Sequence, residues 1–207
     1  MAGVFPTKSN LMKAKKSLSL SRLGYDLLEG KRNILMRELM SMLDKANGLQ
    51  QRIDTTYARA YSALERANMS IGQKTVMRIA KATPVRDDIS VRYRSVMGIE
   101  IPEVTIPEEL PAPTYGVYDT TAALDEAYVA FHEVAQLSCY MAQVEGGIFR
   151  LANAVKQTRK RANALKNVVT PELEGQVEYI TDYLEEKERE EFTAEKVVKS
   201  RKNRKKD

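Results

Sequence analysis

Only a few residues of this chain could do chemistry, and they do not gather in the sequence. His132 is the single histidine and Cys139 the single cysteine. A metal site needs several His, Cys, Asp or Glu ligands at recurring spacings, and a nucleophilic cysteine needs a base beside it. The sequence offers neither pattern and no Ser-His-Asp set. We therefore predict no catalytic residue, no metal ligand and no cofactor.

The segment IGQKT at 71–75 is similar to the end of a phosphate-binding loop. Such a loop requires a Gly five residues ahead of an adjacent Gly-Lys pair and a hydrophobic strand before it. Here the first Gly is missing, and Gln73 separates Gly72 from Lys74. We expect a solvent-exposed helix end rather than a nucleotide site.

Gly146 and Gly147 are the most informative small residues, because they lie inside a helical pattern. Two glycines in a helix interior cost about 1.5–2 kcal/mol relative to two alanines. One interpretation is a tolerated sequence drift or a local bend. The other is a place where a second backbone approaches closely or where the helix flexes under torque. The sequence leaves both open.

The excess positive charge lies at the C-terminus. The net charge is +5, and the tail KSRKNRKKD accounts for it, so the remainder holds as many acidic as basic residues. A basic tail could bind nucleic acid or anionic lipid electrostatically. Because no aromatic residue accompanies it for base stacking, we expect a disordered, solubilising tail and no nucleic-acid partner.

The chain carries no sign of export or of a membrane span. Its N-terminal segment MAGVFPTKSNLMKAKK has no apolar core, and no run of about 18 apolar residues occurs. A single cysteine permits no intrachain disulfide. We expect a cytoplasmic protein.

Two long segments with helical periodicity make up most of the chain. From Leu11 to Ala67, and again from Ala123 to Leu184, mostly apolar residues follow alternating steps of three and four. Ser21, Arg32 and Thr56 are polar interruptions of the first segment, and the step to Leu173 in the second is four rather than three. This spacing is typical of supercoiled helices, and the first helix would be roughly 85 Å long. We predict a mainly α fold, a long antiparallel two-helix coiled coil with a small central lobe. Its predicted seam includes Leu18, Tyr25, Leu28, Leu35, Leu39, Leu49, Ile53, Leu137, Met141, Val144, Ile148, Leu151, Val155 and Leu165.

The middle of the chain follows a different pattern. The segment DISVRYRSVMGIEIPEVTI alternates apolar and polar residues around Met97-Gly98, which predicts a short β-hairpin. The proline-rich EELPAPTYGVYD then leads into the second helix. We predict an N-terminal helix over 1–68, a central lobe over 69–118, a C-terminal helix over 119–198 and the tail over 199–207. Thr170-Pro171-Glu172 predicts a kink or a helix restart.

Antiparallel pairing predicts a register and a charge distribution. Paired residue numbers should sum to about 187, which places Tyr25 opposite Ala162. No acidic residue precedes Asp26, and no Lys or Arg lies between Arg94 and Arg150. The two ends of the predicted coiled coil therefore differ in charge, which indicates different partners.

Three segments resemble the D subunit of the V/A-type (vacuolar/archaeal-type) rotary ATPases. The N-terminal PTKSNLMKAKKSLSLSRLGYDLLEGKRNILMREL is similar to the family's basic helix with its Gly-x-x-Leu-Leu-x-x-Lys-Arg motif, and SVMGIEIPEV resembles its hairpin. The C-terminal QTRKRANALKNVVTPELEGQVEYITDYLEEKEREEF resembles the family's closing pattern, with Lys160 and Ala162 standing where Arg and Val are usual. The matching positions are Gly24, Leu27, Leu28, Lys31, Arg32, Thr158, Arg159, Arg161, Asn163, Ala164, Leu165, Pro171, Leu173, Ile180, Leu184, Glu185, Glu186, Glu188, Arg189, Glu190 and Glu191.

The resemblance implies a non-catalytic central-stalk subunit, the rotor shaft, of an ion-translocating ATPase peripheral to the membrane. It would couple ATP hydrolysis or synthesis in a catalytic A/B ring to proton or sodium transport. The implied partners are the A and B subunits, the F subunit on the stalk, and a membrane-proximal rotor subunit of the C/d type. The alternative is a generic scaffolding coiled coil that dimerises through the same heptads. The expected ring contacts are Lys8, Lys13, Lys15, Arg22, Arg159, Arg161, Glu185 and Arg189.

Overall fold

The structure is a computed structural model that describes residues 5–83, 88–107, 113, 115, 116, 118 and 120–204, with the backbone alone at 203 and 204. Its elements follow in the order α1 (Lys8–Ile71), α2 (Gln73–Ala82), β1 (Ser90–Val96), β2 (Ile99–Thr105), α3 (Ala122–Ala164), a π-helical segment (Leu165–Val169) and α4 (Thr170–Arg204). The predicted mainly α fold with one small β-hairpin is confirmed. Most of the predicted proline-rich return lies outside the described residues.

Helix α1 begins with a side-chain cap from Thr7. The Asn10 amide donates a hydrogen bond of 3.2 Å to Thr7 Oγ1, which satisfies one of the free amides of the first turn. The helix then continues for 64 residues without a proline. Its long apolar stripe requires a partner along its length, since helices in proteins gain most of their stability from tertiary packing.

The chain divides into two compact units, and the first comprises Met1–Asn33 and Lys156–Asp207. Here the start of α1 runs antiparallel to α4. Lys8 forms an ion pair with Glu188, and further along α1 the Ser21 hydroxyl lies 3.0 Å from the Thr170 hydroxyl. The seam between them is lined by the buried side chains Ala14, Ser21, Thr158, Ala162 and Ile180.

Of the predicted kink or helix restart at Thr170, the restart does not occur, because the backbone stays helical there. Thr170 has right-handed helical torsion angles, and its amide donates to the carbonyl of Leu165 in the π-helical pattern. Pro171 lacks an amide, so it cannot take part in the ordinary ladder at this point. The preceding π-helical segment joins α3 to α4 without a cap residue.

The second unit, Ile34–Val155, holds the rest of α1 against α3. Ion pairs Arg59–Glu133 and Arg66–Glu126 join the two helices and establish their antiparallel direction. The core between them has one cluster around the fully buried Leu35 and Leu151. A second cluster surrounds Ala60, Ala130 and Val134.

The register is displaced from the predicted one by about one helical turn. In the first unit, the Lys166 ammonium lies 5.6 Å from the centre of the Tyr25 ring, whereas Ala162 was expected there. The prediction took the length of the connecting lobe from the end of the apolar pattern at Ala67. Helix α1 in fact continues to Ile71, which moves every pairing in the same direction.

The β-hairpin forms as predicted. Strands β1 and β2 are antiparallel, with Val96 opposite Ile99, and Met97 and Gly98 form the two-residue turn. Both turn residues have positive φ, 52° and 79°, as the type I′ turn that suits a twisted hairpin requires.

Helix α2 closes one end of the second unit. Gly72, with φ of 83°, separates α2 from α1, and the buried Val76 of α2 packs with Ala67 of α1 and Leu124 of α3.

At the other end of the sequence, α4 extends to Arg204, so it includes residues for which a disordered tail was predicted. Lys and Arg are good helix formers, and positive charge at a helix C-terminus is favourable.

Candidate functional site

The expected ring contacts share one location. All of them are exposed, and all belong to the first compact unit. They occupy the outer surfaces of α1, α3 and α4, whose inner surfaces form the buried seam. This charged surface consists of Lys8, Lys13, Lys15, Arg22, Arg159, Arg161, Glu185 and Arg189.

Half of these residues pair within the chain. Lys8 Nζ lies 2.9 Å from Glu188 Oε1, and this hydrogen bond and the carboxylate charge raise the pKa of Lys8. Arg22 Nη2 lies 2.7 Å from Glu174 Oε1, and Arg189 lies 3.8 Å from Glu185. Exposed pairs of this kind contribute little to stability, because water and salt screen them. They fix side-chain positions more than they stabilise the fold.

The other half remain free for a partner. Lys13, Lys15, Arg159 and Arg161 form no ion pair with any other residue in the described part of the chain. They are exposed cations on the two chain segments that meet in the first unit. Such a surface is suited to contact acidic groups of another protein.

Every predicted seam residue is buried or half-buried. Leu35, Ile53, Leu137, Val144, Leu151 and Val155 are buried, and the other predicted positions are half-buried. The polar interruptions of the seam are also accommodated. Ser21 bonds Thr170, and Thr56 Oγ1 donates to the carbonyl of Arg52 at 2.8 Å.

The β-hairpin packs against α3 at the two adjacent glycines, Gly146 and Gly147, which we call its seat. A Cβ atom on Gly147 would stand 2.8 Å from Met42 Sδ and 3.1 Å from Ile101 Cγ2. One on Gly146 would stand 3.3 Å from Pro102 Cγ. The sequence left open a close approach of a second backbone, and the structure instead packs side chains of another segment against the two glycines. That segment is strand β2.

Polar contacts hold the hairpin along the helix pair on both sides of this seat. Arg94 of β1 lies 2.8 Å from Glu38 of α1. Arg150 of α3 donates to the carbonyl of Glu100 at 3.0 Å and lies over the Tyr93 ring. This docking is not among the features predicted from the sequence. Its signal was the coincidence of two helical glycines with an apolar hairpin too small to form a core of its own.

The side chains that could do chemistry are dispersed in the structure too. Among residues 5–83, 88–107 and 120–204, no group of three His, Cys, Asp or Glu side chains could hold a metal ion. His132 lies 3.5 Å from Gln136, and Cys139 is a half-buried free thiol. No described helix has a stretch long and apolar enough to cross a membrane.

Comparison with known proteins decides the family. The family model described as the D subunit of ATP synthase matches residues 10–200, a range that runs through both helix pairs and the hairpin. The chain belongs to the ATP synthase D-subunit family. The resemblance drawn from its terminal segments is thereby confirmed.

Relatives in this family align over almost their whole length. The V-type ATP synthase D subunit of Thermotoga neapolitana is 40% identical over 198 residues, which covers 96% of this chain and 98% of the relative. The A-type ATP synthase D subunit of Methanopyrus kandleri is 34% identical over 205 residues, 98% of this chain and 88% of the relative. That of Pyrococcus abyssi is 30% identical over 198 residues, 94% and 92% of the two chains. The alignments therefore cover nearly the whole chain, including the segment that forms the hairpin.

Proposed function

We propose that this chain is the central-stalk subunit, the rotor shaft, of a V/A-type rotary ATPase. The observation that carries the proposal is the match to the D-subunit family over residues 10–200, which takes in every part of the fold and not one helix alone. In this role the chain is non-catalytic. It couples ATP hydrolysis or synthesis in the catalytic A/B ring to proton or sodium transport through the membrane rotor.

The packing of each unit suits the transmission of torque. Apolar side chains interlock along both helix pairs, and interhelical ion pairs such as Arg22–Glu174 and Arg66–Glu126 flank them. A close-packed seam resists deformation, because its side chains have no free volume into which to move. Torque applied to one helix of a pair is therefore carried by the other.

The charged surface of the first unit supports a contact with the A/B ring. Its cations Lys13, Lys15, Arg159 and Arg161 are the best candidates, because they form no ion pair with a residue that the structure describes. Lys8, Arg22, Glu185 and Arg189 complete the proposed contact. The F subunit and a membrane-proximal rotor subunit of the C/d type are the further partners, and the chain would be cytoplasmic, peripheral to the membrane within this complex.

The test is affinity purification of the tagged chain from its host, followed by mass spectrometry and an ATPase assay of the eluate. Recovery with A, B and F subunits and ATPase activity is expected. A homodimer free of these subunits would instead support the scaffolding coiled coil.

A matched pair of variants tests the ring contact separately. The variant with Lys13, Lys15, Arg159 and Arg161 changed to alanine should assemble poorly with the A/B ring or lose most of the coupled ATPase rate. The control changes Arg37, Lys45, Arg52 and Arg92, which are exposed cations of the second unit without an ion pair to a described residue. Equal assembly and equal coupled rates in both variants would contradict the ring contact.

A further inference from the structure

The π-helical turn Leu165–Val169 is followed almost at once by Pro171, the one proline between Ala122 and Arg204. A proline inside an α-helix lacks the amide that would donate to the carbonyl four residues back, and its ring clashes with that carbonyl. For Pro171 this carbonyl belongs to Asn167, which lies inside the π-helical turn. The wider turn therefore gives the proline room that a regular α-helix would deny it.

The packing around the π-helical turn does little to hold it in place. None of the residues Leu165–Val169 is buried. In the same helix no residue from 163 to 179 is buried, and in α1 none from 22 to 34 is. The hydroxyl pair of Ser21 and Thr170 is the polar contact between the two helices at this level. Something other than a packed core must fix where the turn lies.

A π-helical turn can change its place in a helix, and the move rotates only the residues between the old and the new place, by about 100°. Movement toward the N-terminus is opposed by the fully buried Ala162, which would turn out of the seam. Toward the C-terminus the next buried residue is Ile180. Pro171 stands in that open stretch, because a regular α-helical turn ahead of it would restore the clash with Asn167.

We propose that Pro171 is a positioning residue, which pins the π-helical turn at Leu165–Val169 and so fixes which side chains from 166 to 177 face outward. The link to activity rests on the proposed stalk function. This stretch follows directly after the proposed ring contacts Arg159 and Arg161. A catalytic ring that responds to the orientation of the shaft requires one defined surface here, not a mixture of two rotated ones.

The direct test measures the distance between two spin labels on the full chain by pulsed electron paramagnetic resonance. The labels are attached at Met12→Cys on α1 and Val168→Cys in the π-helical turn, both at exposed side chains. Cys139→Ser removes the one native thiol. With Pro171 in place a single narrow distance is expected. Pro171→Ala should give a broadened or second distance, because the turn then occupies more than one place.

A second label pair is the matched control. Leu27→Cys and Glu186→Cys also lie on α1 and α4 and are exposed. Glu186 comes after Ile180, so its orientation does not depend on where between them the turn lies. This distance should stay narrow and unchanged in Pro171→Ala.

A relocated proline supplies a rescue. Gly175 is exposed, and an added Cβ there would have no neighbouring atom within 4 Å, so the position has room for a proline. Pro171→Ala combined with Gly175→Pro should move the turn by about one helical turn and pin it again. The expected result is one narrow distance between the labels at 12 and 168, different from the original one.

Stability separates pinning from ordinary packing. Pro171→Ala adds an amide donor and a better helix former, so the Tm of the full chain should rise by at least about 2 °C. A side chain that only packs would give the opposite sign, because its truncation removes contacts. The expected combination is thus a more stable chain with a less defined surface.

The link to activity is measured in the complex with the A/B ring. Pro171→Ala should lower the coupled ATPase rate at least about twofold, because only the population with the turn in its original place presents the right surface. The variant with the relocated proline should not recover the rate, since its single surface is rotated.

Each contrary result overturns a defined statement. An unchanged narrow distance in Pro171→Ala would mean that packing holds the turn, and a lower Tm with that distance would make Pro171 an ordinary packing residue. A broadened distance with an unchanged coupled rate would refute the positioning role and leave the stalk function intact. If the wild-type chain itself forms no complex with the A/B ring, the stalk function fails, while the spin-label distances still decide whether Pro171 pins the turn.

Discussion

Met42 Sδ lies 2.8 Å from the position that a Cβ atom on Gly147 would occupy. Real Cβ atoms do not come this close to sulfur, so a side chain at residue 147 would require the Met42 side chain to shift. Ile101 Cγ2 of the hairpin lies 3.1 Å from the same Cβ position. Three segments of the chain, α1, β2 and α3, therefore converge on one glycine.

Gly147→Ala should destabilise the chain by up to about 2 kcal/mol, even though alanine is the better helix former. Overpacking of a close-packed core costs about 1–3 kcal/mol, which outweighs a propensity gain of about 1 kcal/mol. Gly48→Ala is the control, because nothing lies within 4 Å of its added Cβ, and it should stabilise by about 0.5–1 kcal/mol. Chemical denaturation of the full chain measures both. If both substitutions stabilise the chain, or both destabilise it, the close packing of β2 on Gly147 would be contradicted.

The hydroxyl pair Ser21 and Thr170 gives a non-additive prediction. Ser21→Ala or Thr170→Val alone should cost about 1–3 kcal/mol, because each leaves the other hydroxyl in the seam without its partner. The double variant should cost clearly less than the sum of the two. A double-mutant cycle of unfolding free energies measures the coupling. Additive effects would mean that water satisfies these hydroxyls as well as they satisfy each other.

The ionisation of Tyr115 should reduce the stability of the chain at high pH. Burial, and then its 2.7 Å hydrogen bond to Asp125, raise the pKa of Tyr115 well above its ordinary value. Because the folded-state pKa exceeds that of the unfolded chain, this contribution is fully present below about pH 10 and is lost as the pH rises toward the folded-state pKa. Tyr115→Phe should flatten the decline above that pH. The control Tyr118→Phe, at a fully exposed ring, should leave it unchanged.

Met97 is the one described residue other than glycine with positive φ, and it should be improvable. A left-handed conformation costs most residues roughly 1–2 kcal/mol, whereas Asn and Gly accept it. Met97→Asn or Met97→Gly should therefore raise the thermal midpoint of the chain. Met97→Ala keeps the unfavourable torsion angle and should give no gain. If all three substitutions lower the midpoint, the Met97 side chain contributes packing that exceeds the strain.

The long-range pattern of the sequence was enough to predict the helices, the hairpin and its turn. Spacings of three and four place Leu35 and Leu151 in the core, and Met97-Gly98 stands at the predicted turn. These features are set by local preferences and by a periodicity repeated many times.

The features that the sequence did not predict depend on where distant segments meet. The pairing register depended on whether α1 ends at Ala67 or at Ile71, a choice that polar residues at a helix end do not settle. The docking of β2 on Gly146 and Gly147 depends on the path of a connection that has no periodicity. That Lys13 and Arg159 form no ion pair with a described residue can be seen only once the positions of the acidic neighbours are known.

The π-helical segment Leu165–Val169 has a consequence for changes in chain length. A hydrogen bond that spans five residues encloses one residue more than an α-helical bond does, so the segment stores a single surplus residue inside a continuous helix. Removing one residue there would turn it into ordinary α-helix and leave the residues that follow, Ile180 among them, facing the seam as before. Removing one residue from the regular α-helix of α3 or α4 would instead rotate everything that follows by about 100°. The helix should therefore tolerate the loss of one residue best at this one turn.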